Sequence, residues 1–160
     1  MMMATGALHS HRARIIADWV DYNGHLSEAY YVLIFGHATD ALLDAIGMDD
    51  AFRRRTGRSV YTVDARVLYL AEVAEGEEVE IRSWVTAADR KRMLVQHAMY
   101  LAGSDQPVAR TELVLLSVGP PGPKAMPFDA GVLDSVLRLV RSSGADFPAM
   151  PPRWVPSNQS

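Results

Sequence analysis

DWVDYNGHLSEAYY, residues 18–31, places a polar turn directly before an apolar segment. Asn23-Gly24 is a strong turn signal, and Ser27 is a competent N-cap for a helix that follows. The run from Ala29 to Phe35 carries no charge on any side. Because a helix that is apolar all round must be buried all round, the sequence predicts a polar elbow before a wholly buried central helix.

The central helix is predicted over residues 27–46. Apolar side chains recur at helical spacing from Ile34 to Ile46, and Gly47 supplies a C-terminal stop. A strand over 29–35 is the alternative, since Tyr, Val, Ile and Phe favour β-structure. The helix is preferred because its periodicity continues without interruption to Gly47.

Segments typical of β-strands flank this helix. A first strand is predicted over 12–20, and a basic connector over 49–58 follows the helix. Four long segments with strand character then follow at 59–70, 78–88, 92–102 and 107–118, separated by turn signals. Strands this long, against a usual ~5–6 residues, suit a strongly curved sheet. The sequence therefore predicts an α+β fold in which a five-stranded antiparallel sheet wraps the helix.

The chain is predicted to form one domain over 12–143, ending in a helix that Asp129 can cap. Residues 1–11 are predicted to be a flexible leader, and 144–160 a Pro-rich tail. An open curved sheet has edges that invite pairing. A homodimer, or a dimer of dimers, is therefore expected.

Composition narrows the class of protein. The 160 residues are 49% hydrophobic and 22% charged, as in ordinary globular proteins. A net charge of −3 gives no support to binding of nucleic acid or an anionic membrane. The chain has no cysteine, which removes a thiol nucleophile and is compatible with a reducing cytoplasm. No signal peptide, membrane span, zinc-like histidine spacing or phosphate loop is evident, so a cytoplasmic protein without metal or cofactor is expected.

A short motif lies between the first predicted strand and the long helix: Asp21-x-x-Gly24-His25-Leu26-x-x-x-Tyr30. With this motif and its order of elements, the chain resembles the hotdog-fold acyl-CoA thioesterases of the 4-hydroxybenzoyl-CoA thioesterase type. The resemblance covers roughly residues 12–119. It implies a hotdog fold and hydrolysis of an acyl-CoA thioester at sites on a dimer interface, with coenzyme A as part of the substrate.

A closer resemblance, to the betainyl-CoA thioesterases of carnitine breakdown, lies in four segments: 18–26, 38–42, 53–59 and 68–70. It implies that betainyl-CoA is hydrolysed to betaine and CoA. The alternatives are a thioesterase for another small or aromatic acyl-CoA, and a hotdog protein that binds acyl thioesters without catalysis. A hotdog hydratase is less favoured, because its usual histidine-bearing motif is not evident.

Asp21 is the first catalytic candidate. In the family it resembles, the aspartate at this place attacks the thioester carbonyl or activates a water, and the sequence leaves the two roles open. Backbone N–H groups from Gly24 to Glu28 are expected to polarise the carbonyl. His25 can orient Asp21 or a water, or simply hold the elbow. The plainer interpretation of Asp21 itself is a turn-forming aspartate.

Further candidates lie outside the elbow. Asp64 belongs to a strand expected to face the helix, where it would line the pocket, pair across the dimer or serve as a paired structural carboxylate. Aromatic faces suit a trimethylammonium group, although such residues are also ordinary core material. The aromatic candidates are Trp19, Tyr22, Tyr30, Tyr31, Tyr61 and Trp84. Coenzyme A phosphates would suit either Arg53–Arg58, including Arg55 and Arg58, or Arg90–Arg92, although both are also ordinary surface clusters.

Overall fold

A long helix lies against a curled antiparallel sheet in the computed structural model, which describes residues 7–143, 147 and 149–157. The strands are β1 Leu8–Arg14, β2 Ser59–Tyr69, β3 Glu78–Ala88, β4 Arg92–Leu101, β5 Pro107–Gly119 and β6 Lys124–Ala125. The helices are α1 Glu28–Ala45, α2 Asp50–Thr56 and α3 Ala130–Ser142. The predicted helix wrapped by an antiparallel sheet is therefore present, with the two-residue β6 as an addition.

The strands run in the order β1-β3-β4-β5-β2, and β6 pairs with the end of β5. Every pairing is antiparallel. Ile34 and Phe35 of α1 pack against Ile81 and Met99 of the sheet in one buried cluster. Among the described strands β2 has no neighbour on its outer side, so it is a free edge.

β1 begins at Leu8 and ends at Arg14, so the strand predicted over 12–20 was wrong beyond Arg14. Its length is set by β3, whose first residue Glu78 pairs with Arg14. With no further partner in β3, the chain turns through a short 3-10 segment at 17–19. β1 also reaches further back than predicted because the edge of β3 supplies partners up to Ser83.

The predicted terminal segments are only partly described. The flexible leader predicted over 1–11 overlaps the start of β1, and residues 1–6 lie outside the described residues. In the Pro-rich tail, Phe147 packs on Trp84 with ring centroids 4.7 Å apart. Residues 149–157 have no regular structure.

α1 runs from Glu28 to Ala45, which confirms the helix over the strand alternative. Its burial is one-sided: Ile34 is fully buried, whereas Val32 and Leu33 are 50% and 40% exposed. The prediction of a helix buried on all sides was therefore wrong for this chain on its own. The reason is that the sheet covers one side of α1 and leaves the opposite side open.

Helix α2 lies where the sequence predicted only a basic connector. The Asp49 carboxylate accepts a hydrogen bond from the Phe52 N–H at 2.8 Å, which caps the first turn. Gly57, with φ at 67°, ends the helix in the left-handed conformation that glycine adopts easily. Both cap signals stand in the sequence, but the arginines between them obscured the single buried apolar residue, Phe52.

α3 covers the part of the β3 edge that β1 leaves unpaired. β1 pairs with β3 only as far as Ser83, and beyond it the Ser143 hydroxyl donates to the Val85 carbonyl at 2.6 Å. Asp129 stands at the N-cap position of α3, as predicted, but its side chain makes no cap hydrogen bond. The C-terminal helix thus completes the edge on which the domain core would otherwise be open.

His97 of β4 is completely buried between the sheet and α1. Its Nδ1 lies 2.6 Å from the Ser83 hydroxyl, and its Nε2 lies 2.9 Å from the Thr39 hydroxyl. Burial lowers the pKa of His97 from its ordinary 6.5 to about 3. The ring is therefore neutral in the folded protein at ordinary pH.

Replacing His97 by Gln is expected to flatten the acid side of the stability curve. In the wild type the unfolded chain binds a proton at His97 below pH 6.5, whereas the folded chain does so only near pH 3. The free energy of unfolding should therefore fall as pH falls through this window, by up to about 1.4 kcal/mol per pH unit. Urea denaturation between pH 4 and 7 measures it. The control is His37→Gln, at an exposed histidine of α1, and parallel curves for H97Q and wild type would contradict the expectation.

Candidate active site

The elbow before α1 is a tight loop closed by its own backbone. The Gly24 N–H donates to the Asp21 carbonyl at 2.9 Å, and the Asp21 N–H donates to the His25 carbonyl at 2.8 Å. Gly24 has a φ of 76°, which non-glycine residues rarely adopt. The Asn-Gly signal thus produced the predicted turn, and it holds Asp21 immediately before the helix.

The Asp21 carboxylate is held by one oxygen only. Its Oδ1 accepts hydrogen bonds from the backbone N–H groups of Asn23 at 2.8 Å and His25 at 3.2 Å. Among the described residues no donor contacts Oδ2, and the side chain is exposed. One oxygen therefore fixes the orientation of the carboxylate, and the other is accessible to a water or a substrate.

The His25 ring turns away from Asp21. Its Nε2 lies 3.5 Å from a carboxylate oxygen of Glu72 in the loop after β2, while its backbone forms a bridge with Ala74 of the same loop. It is the main chain of His25, not its imidazole, that orients Asp21. The geometry favours His25 as the residue that fastens the elbow to this loop.

The N-terminus of α1 lies directly after this carboxylate. Ser27 occupies the N-cap position, but its hydroxyl makes no cap hydrogen bond. Its backbone is engaged elsewhere, because the Ser27 N–H donates to the Trp19 carbonyl at 2.9 Å. The first N–H groups of a helix have no acceptor within the helix, and Glu28 is exposed in this turn. The arrangement can receive a carbonyl oxygen that gains negative charge.

Aromatic and acidic side chains surround the helix start. Trp19 stacks on Tyr30 with ring centroids 6.0 Å apart, and Tyr22 is 97% exposed. Tyr31, which is buried, meets the half-exposed Tyr69 edge-to-face at 5.3 Å.

Two residues of this surrounding, Tyr69 and Glu72, were missed by the sequence analysis. Burial raises the pKa of Tyr31, and Glu72 adds to the rise. Burial likewise raises the pKa of Tyr69, with a further contribution from Glu28. No local signal could have found them, because β2 and its loop meet the helix only in the folded chain.

Asp64 does not face the helix, so that prediction was wrong. A bulge between Thr62 and Asp64 shifts the register of β2 against β5. Thr62 and Ala65 consequently line the same groove beside α1, whereas Asp64 lies opposite Val114 and is exposed. The extra residue in the strand turned this carboxylate onto the outer face.

Other predicted binding residues lie at the opposite end of β2. Tyr61 is eight positions before Tyr69, a distance of roughly 26 Å in an extended strand. At that end the Arg58 guanidinium donates a hydrogen bond to the Pro127 carbonyl at 2.7 Å. Arg55 is exposed, with its guanidinium 5.6 Å from the Phe52 ring centroid. Within one chain these residues cannot reach the elbow.

An open groove of about 510 Å³ runs along the uncovered side of α1, between that helix and β2. Its helical wall includes Val32, Gly36, Thr39 and Leu43. A Cβ placed on Gly36 would meet nothing within 4 Å. Since the wall begins at Val32, about one turn into α1, the groove approaches the elbow from the helix side.

Residues 16–136 match the family model described as the thioesterase-like superfamily. The matched range spans the elbow, α1 and strands β2 to β5. The chain belongs to this superfamily. The thioesterase is 42% identical to a betainyl-CoA thioesterase of Pseudomonas aeruginosa, over 86% of this chain and 87% of that protein. It is 40% identical to an L-carnitine dehydrogenase/betainyl-CoA thioesterase of Agrobacterium fabrum, over 69% of this chain and 22% of that longer protein.

Solved structures agree with the fold of this thioesterase. A candidate thioesterase of Pseudomonas putida KT2440 superposes with a TM-score of 0.80 at 38% identity, covering 94% of this chain and 96% of that one. A Staphylococcus aureus protein in complex with CoA superposes with a TM-score of 0.86 at 14% identity, covering 93% and 96%. The predicted hotdog fold is confirmed, and the enzyme is an acyl-CoA thioester hydrolase.

No group of three or more His, Cys, Asp or Glu side chains in the described part of the chain could hold a metal ion. No single described helix is long and apolar enough to cross a membrane, although α1 and α2 pass that test together, bent by 73° at their junction.

Proposed function

We propose that this thioesterase hydrolyses betainyl-CoA to betaine and free CoA. The main support for this reaction is the geometry of the elbow. There, one carboxylate oxygen of Asp21 accepts no hydrogen bond, directly before the N-terminus of α1, which has no side-chain cap. The likeness to the Pseudomonas aeruginosa betainyl-CoA thioesterase supports the choice of acyl group.

In the proposed reaction the thioester carbonyl oxygen accepts hydrogen bonds from the first-turn N–H groups of α1, which stabilise its developing charge. In one route Asp21 Oδ2 attacks the carbonyl carbon, the C–S bond breaks, CoA leaves as thiolate, and water hydrolyses the anhydride. In the other, Asp21 takes a proton from the water that attacks. In single-turnover hydrolysis in ¹⁸O-water, label in Asp21 with unlabelled betaine would require the first route.

The surroundings of the elbow favour a cationic acyl group. The Trp19–Tyr30 stack offers aromatic surface to a trimethylammonium group. Glu28 is exposed in the same helical turn, and Glu72 lies beside His25. These carboxylates would repel an anionic acyl group and attract a cationic one.

CoA release from a panel of esters tests the function. Betainyl-CoA should be hydrolysed with kcat/KM at least about tenfold higher than 3,3-dimethylbutanoyl-CoA, in which carbon replaces the quaternary nitrogen. Preference for 4-hydroxybenzoyl-CoA or for straight-chain esters would overturn the betainyl assignment. Hydrolysis of none of them would favour a non-catalytic acyl-thioester-binding protein.

Replacing Trp19 by Leu is expected to lower kcat/KM for betainyl-CoA by roughly tenfold, because Leu keeps an apolar side chain but loses the aromatic face. The uncharged isostere 3,3-dimethylbutanoyl-CoA should be affected much less, and the two esters are compared in the same assay. Trp154→Leu, an exposed tryptophan of the tail, is the matched control. Equal losses on both esters would show that Trp19 acts by packing alone.

The active enzyme is proposed to be a homodimer, or a dimer of dimers, joined along β2. This edge strand exposes apolar side chains at Tyr61 and Val63, and exposed edges readily pair with a second copy. Two-fold symmetry would place the start of one β2 beside the end of the other. Tyr61 of the partner subunit would then approach Asp21, which it cannot do within one chain.

Arg55 is the proposed contact for a CoA phosphate, reaching the ester from the second subunit. Arg55→Ala should raise KM for the CoA ester about tenfold through loss of a charged hydrogen bond, but leave KM for the matching pantetheine ester unchanged. Steady-state kinetics on both esters measure the difference. The control is Arg54→Ala, which breaks an ion pair with Asp50 nearby. An equal rise in KM for both esters would contradict the assignment.

The proposed reaction needs only the CoA ester and water, so no cofactor or metal is invoked. A cytoplasmic location is proposed because the chain has no cysteine and its substrate is a CoA ester. Nucleic acid and membrane are not proposed as partners, in keeping with the net charge of −3.

A further inference from the structure

A chain of hydrogen bonds crosses the core from β3 to α1. The Nδ1 of His97 lies 2.6 Å from the Ser83 hydroxyl and its Nε2 lies 2.9 Å from the Thr39 hydroxyl, which in turn lies 3.1 Å from the Phe35 carbonyl. A neutral imidazole has one donor and one acceptor nitrogen, and the two hydroxyls can satisfy either tautomer. Ser83, His97 and Thr39 are here called the core relay.

The core relay is not an acid or base for the reaction. His97 is completely buried and neutral, and the Phe35 ring stacks on it at 6.0 Å with an 11° interplanar angle. Of the histidine side chains that the structure describes, it alone is fully out of contact with solvent. Because His97 cannot exchange protons with the candidate active site, it can affect the reaction only by fixing the position of α1, to which it is hydrogen-bonded through Thr39.

What the core relay holds is α1, a helix whose rotation is poorly specified by burial. Val32 and Leu33 are about as apolar as Ile34 and Phe35, yet the first pair is exposed and the second buried. Around residues 32–35, turning the helix by one residue, about 100°, would exchange such residues at little hydrophobic cost. It would also break the Thr39–His97 hydrogen bond and leave the Nε2 of His97 without a partner in the buried core, which is costly.

We infer that Ser83, His97 and Thr39 are positioning residues that set the rotation of α1, and with it the direction of the first-turn N–H groups beside Asp21. Thr39 connects the core to the groove, because its hydroxyl is the last group of the core relay and its side chain lines the groove that also contains Gly36. The kinetic consequence rests on the proposed function, whereas the rotation itself does not.

The test compares two variants of the full-length protein. The triple variant Ser83→Ala, His97→Leu, Thr39→Val removes every polar side-chain group of the core relay at similar volume, and replacing all partners of a hydrogen bond by apolar groups can be nearly neutral or stabilising. Its Tm should be near or above that of the wild type, while kcat for betainyl-CoA falls roughly 10- to 100-fold through misplaced donors. His97→Gln, which retains one donor and one acceptor, should keep kcat within about threefold of wild type.

A folded triple variant with wild-type kcat would show that the core relay is structural only. Loss of kcat in H97Q as large as in the triple variant would also overturn the inference. If the wild-type enzyme hydrolyses no ester of the panel, the proposed function fails, and amide hydrogen exchange of residues 28–36 decides the inference by itself. Exchange there should be faster in the triple variant than in the wild type or H97Q, and unchanged exchange would refute it.

Discussion

Asp21→Asn is expected to lower kcat for betainyl-CoA by about 10³-fold or more while the protein folds normally. The amide oxygen of Asn can still accept from the backbone N–H groups of Asn23 and His25, so the turn keeps its two hydrogen bonds. An amide, however, neither attacks a thioester carbonyl nor takes a proton from water. Thiol release measures kcat, and thermal unfolding measures whether the fold is kept.

Asp18→Asn is the matched control for Asp21→Asn, because Asp18 is an exposed aspartate of the same stretch, before the turn. Its kcat should stay within about twofold of wild type. An Asp21→Asn enzyme that retained a tenth of wild-type turnover would remove Asp21 from the reaction. The loop would then be only a turn-forming element.

Val63→Lys is expected to produce a monomer whose kcat/KM is lower by about 100-fold or more. Val63 is 55% exposed on the free edge strand, at the bulge of β2, and a lysine on an edge strand opposes pairing with a second copy. The loss of activity follows if the partner subunit supplies part of each site. Light scattering after gel filtration gives the mass, and the CoA-release assay gives kcat/KM.

Val155→Lys provides the control, since Val155 is 72% exposed in the tail and lies outside every strand. It should leave both mass and kcat/KM as in the wild type. A dimeric Val63→Lys protein would show that the subunits do not join along this part of β2. A monomer with wild-type kcat/KM would mean that one chain contains the whole site.

The fold was predictable where periodicity continues over many residues. α1 and the four long strands follow from regular spacing, whereas the errors come from interruptions that a pattern does not reveal. The bulge between Thr62 and Asp64 reverses which side chains face α1. Likewise β1 ends at Arg14 because its partner β3 begins at Glu78, a limit that lies in another part of the chain.

The candidate site was predictable to the extent that it is local. Asp21, Gly24 and the start of α1 are consecutive, so a turn signal and a helix signal together place a carboxylate beside free N–H groups. Glu72 and Tyr69 reach the same place from β2 and its loop. A single sequence gives no register between such distant segments, so these neighbours could not be predicted.

The elbow has a further property that follows from its backbone ties to the loop after β2. The Leu26 N–H donates to the Val73 carbonyl at 2.7 Å, and the Glu75 N–H donates to the Gly24 carbonyl at 3.1 Å. Both helices α1 and α2 and the whole of β2 lie between these segments in the chain. Such contacts carry a large loop-closure entropy and form late in folding. The candidate catalytic turn is therefore tied in place only in molecules that have closed this loop, so we expect a chain that has not closed it to hydrolyse no thioester.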